Sequence, residues 1–260
     1  MRIKLIFFFA IAIASSVVAS TIDTVAYTYA GNFKAWVSIP DTPGKHPVLV
    51  YNYDEYFDWA GERAAVLRGY DIRKFMETFV KWGYICIVPI ERHHKVNAIK
   101  GAVFYAEKMT QTDKSRIHLV GISEGAFLSM LTLDVLPEVA SITLIAPITI
   151  HYSGYYSFPE ALRKMPKMTL PILYLVGRED KIWKMKITTL LYQLLKQENK
   201  TVTYKEYDEE RRFFWDSSSS FMTDIHQFIE NKTRIKGATP GPQEVPVSQN
   251  ILQELLGFAH

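Results

Sequence analysis

The sequence predicts an α/β fold, a mostly parallel central sheet with helices on both faces. Three observations carry this. Short apolar, β-branched runs alternate along the chain with longer segments of helical periodicity. Strands separated by helices pair in parallel, because a parallel neighbour needs a crossover, and the crossover helix then covers the sheet. The chain has 260 residues, 48% of them apolar, which is enough to fill the core of one such domain.

The elements follow in order. Residues 25–29 and 33–39 read as strands joined by Ala30-Gly31-Asn32, a hairpin signal. A loop at 40–44 leads into a buried strand at 47–51. Residues 71–82 are amphipathic, with Ile72, Phe75, Phe79 and Val80 on one stripe, and Gly83 ends the helix. A strand at 84–90, a helix at 97–109, a strand at 116–120 and a helix at 124–133 follow. Residues 141–146 form a strand, and 147–169 are irregular and aromatic. A strand at 170–176, a helix at 182–196, a strand at 202–207 and a final helix at 221–231 complete the domain, with Phe221, Ile225 and Phe228 facing in.

The two ends differ from this middle. Residues 1–20 have a basic start, a continuous apolar run and a small-residue end containing Val17-x-Ala19. That is the layout of a secretory signal peptide, and the run is short against the roughly 20 residues of a membrane span. The expected division is therefore 1–20 signal peptide, 21–235 α/β domain, and 236–260 linker and short tail. The expected location is the periplasm or the medium. The tail opens with a Pro/Gly linker, and residues 250–258 have the pattern of one short amphipathic helix. That helix is compatible with docking on the domain or with engaging a partner.

The formal charge of +3 does not suggest a nucleic-acid partner. No Cys/His spacing suggests a metal, and no cofactor is expected. Cys86 is the only cysteine, and within an apolar strand it reads as a small buried hydrophobe.

The chemistry concentrates at Gly121-Ile122-Ser123-Glu124-Gly125. This Gly-x-Ser-x-Gly follows a strand and opens a helix, the placement of a strained turn that exposes a nucleophilic serine. The backbone N–H of Glu124 is then half of an oxyanion hole. A serine hydroxyl needs a base, and the base needs an orienting acid. Asp180, in the loop after the strand ending at Gly177, is the acid expected in this chain order, with Glu179 a weaker choice.

These stretches, with 47–52 and 113–125, resemble the α/β-hydrolase superfamily over roughly residues 24–232, and most closely its dienelactone hydrolase and prolyl oligopeptidase-like branches. The resemblance implies acyl transfer to Ser123 with Asp180 as triad acid. It also implies a His-x-Phe after the last strand, where this chain has Arg211-x-Phe213 and Arg212-x-Phe214. Arginine stays protonated and cannot take the serine proton. Arg212 is instead placed to pair with Asp180. His226, in the final helix, is the one downstream histidine before the tail and a weak candidate base. His93, His94 and His151 fall on loops at the carboxyl edge of the sheet, as pocket or surface residues. His118 reads as a core histidine, and His46 lies at the far end of its strand.

Relatives carry a second oxyanion donor after the strand at 47–52, often near His-Gly. Here that stretch reads Tyr53-Asp54-Glu55-Tyr56. Tyr53 takes the donor position, and the two acids bring negative charge towards an oxyanion. Residues 152–158 lie where these folds carry a lid. Tyr152, Tyr155 and Tyr156, with Tyr53, Tyr56, Phe57 and Trp59, form either an aromatic pocket for an apolar acyl or aryl group or a packed surface loop.

Two functions are expected from this. One is a serine hydrolase acting on a small-molecule ester or amide. The other is a catalytically impaired homologue that binds a small ligand or a protein.

Overall fold

The computed structural model describes residues 21–91, 93, 95–133, 139–148, 168–178, 182–208 and 220–233. The first twenty residues and the tail lie outside this set, so the signal-peptide reading and the division at 235 have no structural counterpart here.

Eight strands are present among the described residues: β1 (Asp23–Thr28), β2 (Asn32–Ser38), β3 (His46–Asn52), β4 (Ile85–Pro89), β5 (Thr112–Ile122), β6 (Ser141–Ile145), β7 (Ile172–Gly177) and β8 (Val202–Tyr207). They form one sheet in the order β1-β2-β4-β3-β5-β6-β7-β8. The hairpin pairs antiparallel, β2 runs antiparallel to β4, and all later pairings are parallel. The expected α/β-hydrolase architecture, mostly parallel with an antiparallel opening, is present.

Strands β3, β4, β6 and β7 are buried along their whole length, as a sheet covered on both faces requires. Alternate residues feed two cores. Val48, Val50, Ile85 and Ile87 face α4 (Lys95–Lys108), α5 (Glu124–Thr132) and α6 (Ile182–Gln197). Leu49, Tyr51, Cys86 and Val88 face α3 (Ile72–Lys81) and α7 (Phe221–Ile229). The α3 stripe packs as its periodicity dictates, with Asp71 capping it by accepting the Lys74 N–H at 2.9 Å. Burial pushes the Cys86 thiol well above its ordinary value, so the residue behaves as a hydrophobe.

Two differences from the sequence reading bear on the site. Residues 54–67 contain two short helices, α1 (Tyr56–Ala60) and α2 (Glu62–Leu67), joined at Gly61. Helices of five and six residues are too short to produce a periodic signal. Strand β5 begins at Thr112, four residues earlier than its apolar run, because its first residues lie at the rim with Lys114 and Ser115 exposed.

Candidate active site

Ser123 stands at the turn from β5 into α5, at the carboxyl edge of the sheet, with φ 54° and ψ −115°. A non-glycine residue in that region is strained and persists only where its surroundings impose it. The surroundings are visible. The Ser123 N–H donates to the Ile145 carbonyl at 2.8 Å, and its own carbonyl accepts the Ile148 N–H at 3.3 Å, so the end of β6 and the residues just after it hold the turn on both sides.

The glycines of the motif are fixed by close approach. A β-carbon on Gly121 would stand 2.5 Å from the Ala126 Cα, and one on Gly125 would stand 2.1 Å from the Asn52 carbonyl oxygen and 2.6 Å from that of Tyr53. Gly125 thus brings the first turn of α5 directly against the end of β3. The contact is locked by Asn52, whose side-chain amide donates to the Ser129 hydroxyl at 2.7 Å, while that hydroxyl donates to the Gly125 carbonyl at 2.7 Å.

Glu124 and Tyr53, the two expected oxyanion donors, are brought together by this approach, on either side of the elbow. Their side chains belong to a charged cluster that no sequence motif announces. Lys95, at the start of α4, pairs with Glu124 at 2.7 Å and with Asp58 of α1 at 2.6 Å. Tyr53 Oη donates to Asp58 Oδ1 at 2.8 Å and accepts the Glu91 N–H at 3.2 Å. The Lys95 ammonium lies 5.1 Å from the Tyr53 ring centre. Burial acts to lower the Lys95 pKa, but the Glu124 and Asp58 carboxylates outweigh it and hold the group above its ordinary value. Lys95 is therefore a fixed cation and not a base. Burial, and then the Asp58 charge, raise the Tyr53 phenol and keep it protonated as a donor. Lys95 stands 37 positions after Asp58 and 29 before Glu124, which is why linear reading does not find Asp58 and Lys95.

Of the two acids that the sequence places near an oxyanion, Asp54 is engaged locally. Asp54 accepts the Tyr56 N–H at 2.9 Å and turns the chain into α1, where Glu55 stands at the N-cap position without a side-chain capping bond. Phe57 packs on Tyr53 (ring centres 4.8 Å apart), Tyr56 packs edge-on to Trp59 (4.4 Å), and Trp59 is 62% exposed.

His226 is placed elsewhere. Its Nδ1 lies 3.2 Å from the Tyr84 hydroxyl, and its ring stacks on Trp82 at 4.8 Å. Tyr84 immediately precedes β4, whose first residue Ile85 is level with Val48 and Ile117. Ser123 is six residues further along β5, about 20 Å at strand spacing. His226 thus occupies the amino edge, opposite to the elbow. Its replacement by alanine is expected to leave reaction at Ser123 within about twofold and to lower stability by about 1 kcal/mol through the lost ring contacts. A nucleophile-labelling rate and a thermal melt check both parts.

His118 is fully buried, with Nδ1 2.9 Å from the Ser141 hydroxyl, as its core reading expects. His93 is exposed at the carboxyl edge, on the loop after β4. Strand β7, which leads to the acid loop, ends two strands from β5, about 10 Å away at normal strand spacing. Asp180 itself, Glu179, His94, His151, Arg211, Arg212, Tyr152, Tyr155 and Tyr156 lie outside the described residues. Among those described, no group of three or more His, Cys, Asp or Glu could hold a metal ion. No described helix is long and apolar enough to cross a membrane.

A sequence profile of the phospholipase/carboxylesterase family matches residues 94–233, more than half of the chain and the part that holds the elbow. The chain belongs to this α/β-hydrolase family. No curated protein matches this family member. Similar solved structures include an acylaminoacyl peptidase of Pyrococcus horikoshii, at 14% identity and TM-score 0.64, over 92% of this chain but 45% of the peptidase. The family member thus spans less than half of that relative. DcsB, solved in complex with its substrate analogue, is similar at 13% identity and TM-score 0.65, over 81% of this chain and 99% of that one. Esterase Est22, solved with p-nitrophenol, is similar at 14% identity and TM-score 0.62, over 82% and 81%. At these identities the likeness is one of fold.

Proposed function

We propose that the protein is a serine hydrolase that accepts the acyl group of an ester or amide on Ser123. The observation that carries this reading is the backbone of Ser123 itself, held in a strained conformation by bonds from the end of β6 and the residues just after it and by two glycines at contact distance. Backbone strain clusters at functional sites, and a nucleophile elbow needs it to present its hydroxyl.

In the mechanism, the Ser123 hydroxyl attacks the acyl carbon while a base takes its proton. The N–H groups of Glu124 and Tyr53 donate to the oxyanion, with the positive end of α5 behind them. Asp180 orients the base. The base is a histidine on the carboxyl edge, where the sequence places His93, His94 and His151. The basic start and apolar run of residues 1–20 support export of the mature protein.

A second reading, binding of a ligand or partner without turnover, is favoured by Arg211 and Arg212 where the resemblance implies histidine. Labelling with a fluorophosphonate probe separates the two. The hydrolase reading expects stoichiometric labelling that disappears in Ser123→Ala. Folded protein that stays unlabelled selects the binding reading.

A further inference from the structure

The side chains of the two proposed oxyanion donors are joined into one continuous chain of contacts. Tyr53 Oη bonds Asp58 Oδ1 at 2.8 Å, Asp58 Oδ2 pairs with Lys95 at 2.6 Å, and Lys95 pairs with Glu124 Oε2 at 2.7 Å. The four residues come from the end of β3, α1, α4 and α5. All are shielded, with side-chain exposures of 13% for Lys95, 11% for Asp58 and 3% for Glu124, and Tyr53 only 4% exposed.

The arrangement is more specific than stability alone asks for. The steric contacts of the elbow turn fall on Gly121 and Gly125. Buried ion pairs cost desolvation that an apolar set of the same volume avoids, so such a cluster is weak evidence of added stability. What an ammonium bridging two carboxylates does provide is a short, fixed distance between them. The groups at its two ends are attached to the backbone at Tyr53 and at Glu124.

We infer that Asp58 and Lys95 are positioning residues that set the separation and aim of the Tyr53 and Glu124 backbone N–H groups. The catalytic consequence rests on the serine-hydrolase reading, while the structural consequence stands on the geometry alone. Oxyanion donors act through preorganisation, so a small displacement is felt in kcat and much less in KM.

The test uses Lys95→Met and Asp58→Asn in the full chain, with two readouts: kcat and KM on a p-nitrophenyl ester, and backbone amide exchange at residues 52–54 and 123–126. Expected in both variants is a fall in kcat of about 10–100-fold with KM within about twofold. Exchange at those two segments is expected to quicken about tenfold or more while β7 is unchanged. Lys95→Arg, which keeps the charge, is expected to recover part of both effects. Unchanged exchange at the two segments overturns the inference whatever happens to kcat, and unchanged kcat in an active enzyme overturns it as well. If the wild type proves inert to fluorophosphonate, the hydrolase reading falls by itself, and the exchange result still decides the positioning claim in either direction. Should Lys95→Met fail to fold, Asp58→Asn keeps the Lys95–Glu124 pair and carries both measurements.

Discussion

Gly125→Ala is expected to lower the unfolding midpoint by about 10 °C and to abolish labelling of Ser123. The added β-carbon would stand 2.1 Å from the Asn52 carbonyl oxygen, 2.5 Å from its carbon and 2.6 Å from the Tyr53 oxygen. None of these is the free end of a side chain. Asn52 is held by its pairing with Gly121 and by the bond from its amide to Ser129. Strand β3 cannot retreat, so α5 must, which separates Glu124 from Tyr53. Overpacking against backbone falls at the upper end of the usual range, about 3 kcal/mol or more. A midpoint within about 1 °C of wild type would show that the elbow has more slack than these distances allow.

The second large effect is acid sensitivity centred on His118. Burial, helped by the Arg116 charge and opposed by Asp113, pushes its pKa from the ordinary 6.5 down to about 3. Its Nε2 is buried with no hydrogen-bond partner, so a second proton has no acceptor. The unfolded chain therefore takes up a proton below pH 6.5 that the folded chain refuses until about pH 3. The contribution is fully present above pH 6.5 and is lost as pH falls, by up to about 1.4 kcal/mol per unit and about 5 kcal/mol across the window. Urea midpoints between pH 7 and pH 4 should fall more steeply for wild type than for His118→Gln, which can still bond Ser141 but cannot titrate. Parallel slopes for the two proteins would assign the acid limb to other groups.

The parts of this molecule that could be read from its sequence are those whose cause is local. The all-apolar runs at β3 and β4 announce strands buried on both faces, and Gly-x-Ser-x-Gly between an apolar run and a helical segment announces the turn, although Asn52 and Tyr53, which make Gly125 necessary, lie about seventy residues earlier. Helices α1 and α2 escaped because neither is long enough to repeat. The Tyr53–Asp58–Lys95–Glu124 chain escaped because its members meet only once the sheet has assembled. The placement of His226 was undecidable for a related reason. Its periodicity places it beside a buried face, but which end of the sheet it occupies is set by Tyr84, 142 residues earlier.

The strand order has a consequence for when the turn at Ser123 comes into being. From β5 onward the sheet grows in chain order, β5-β6-β7-β8, each new strand adding beside the last. A chain emerging from the ribosome can build that half one strand at a time. The bonds that hold Ser123 in its strained form lead to Ile145 and Ile148, at the end of β6 and just beyond it. A nascent chain that has made the whole of the motif but not yet residue 148 therefore has the serine without the backbone conformation that the finished sheet imposes on it.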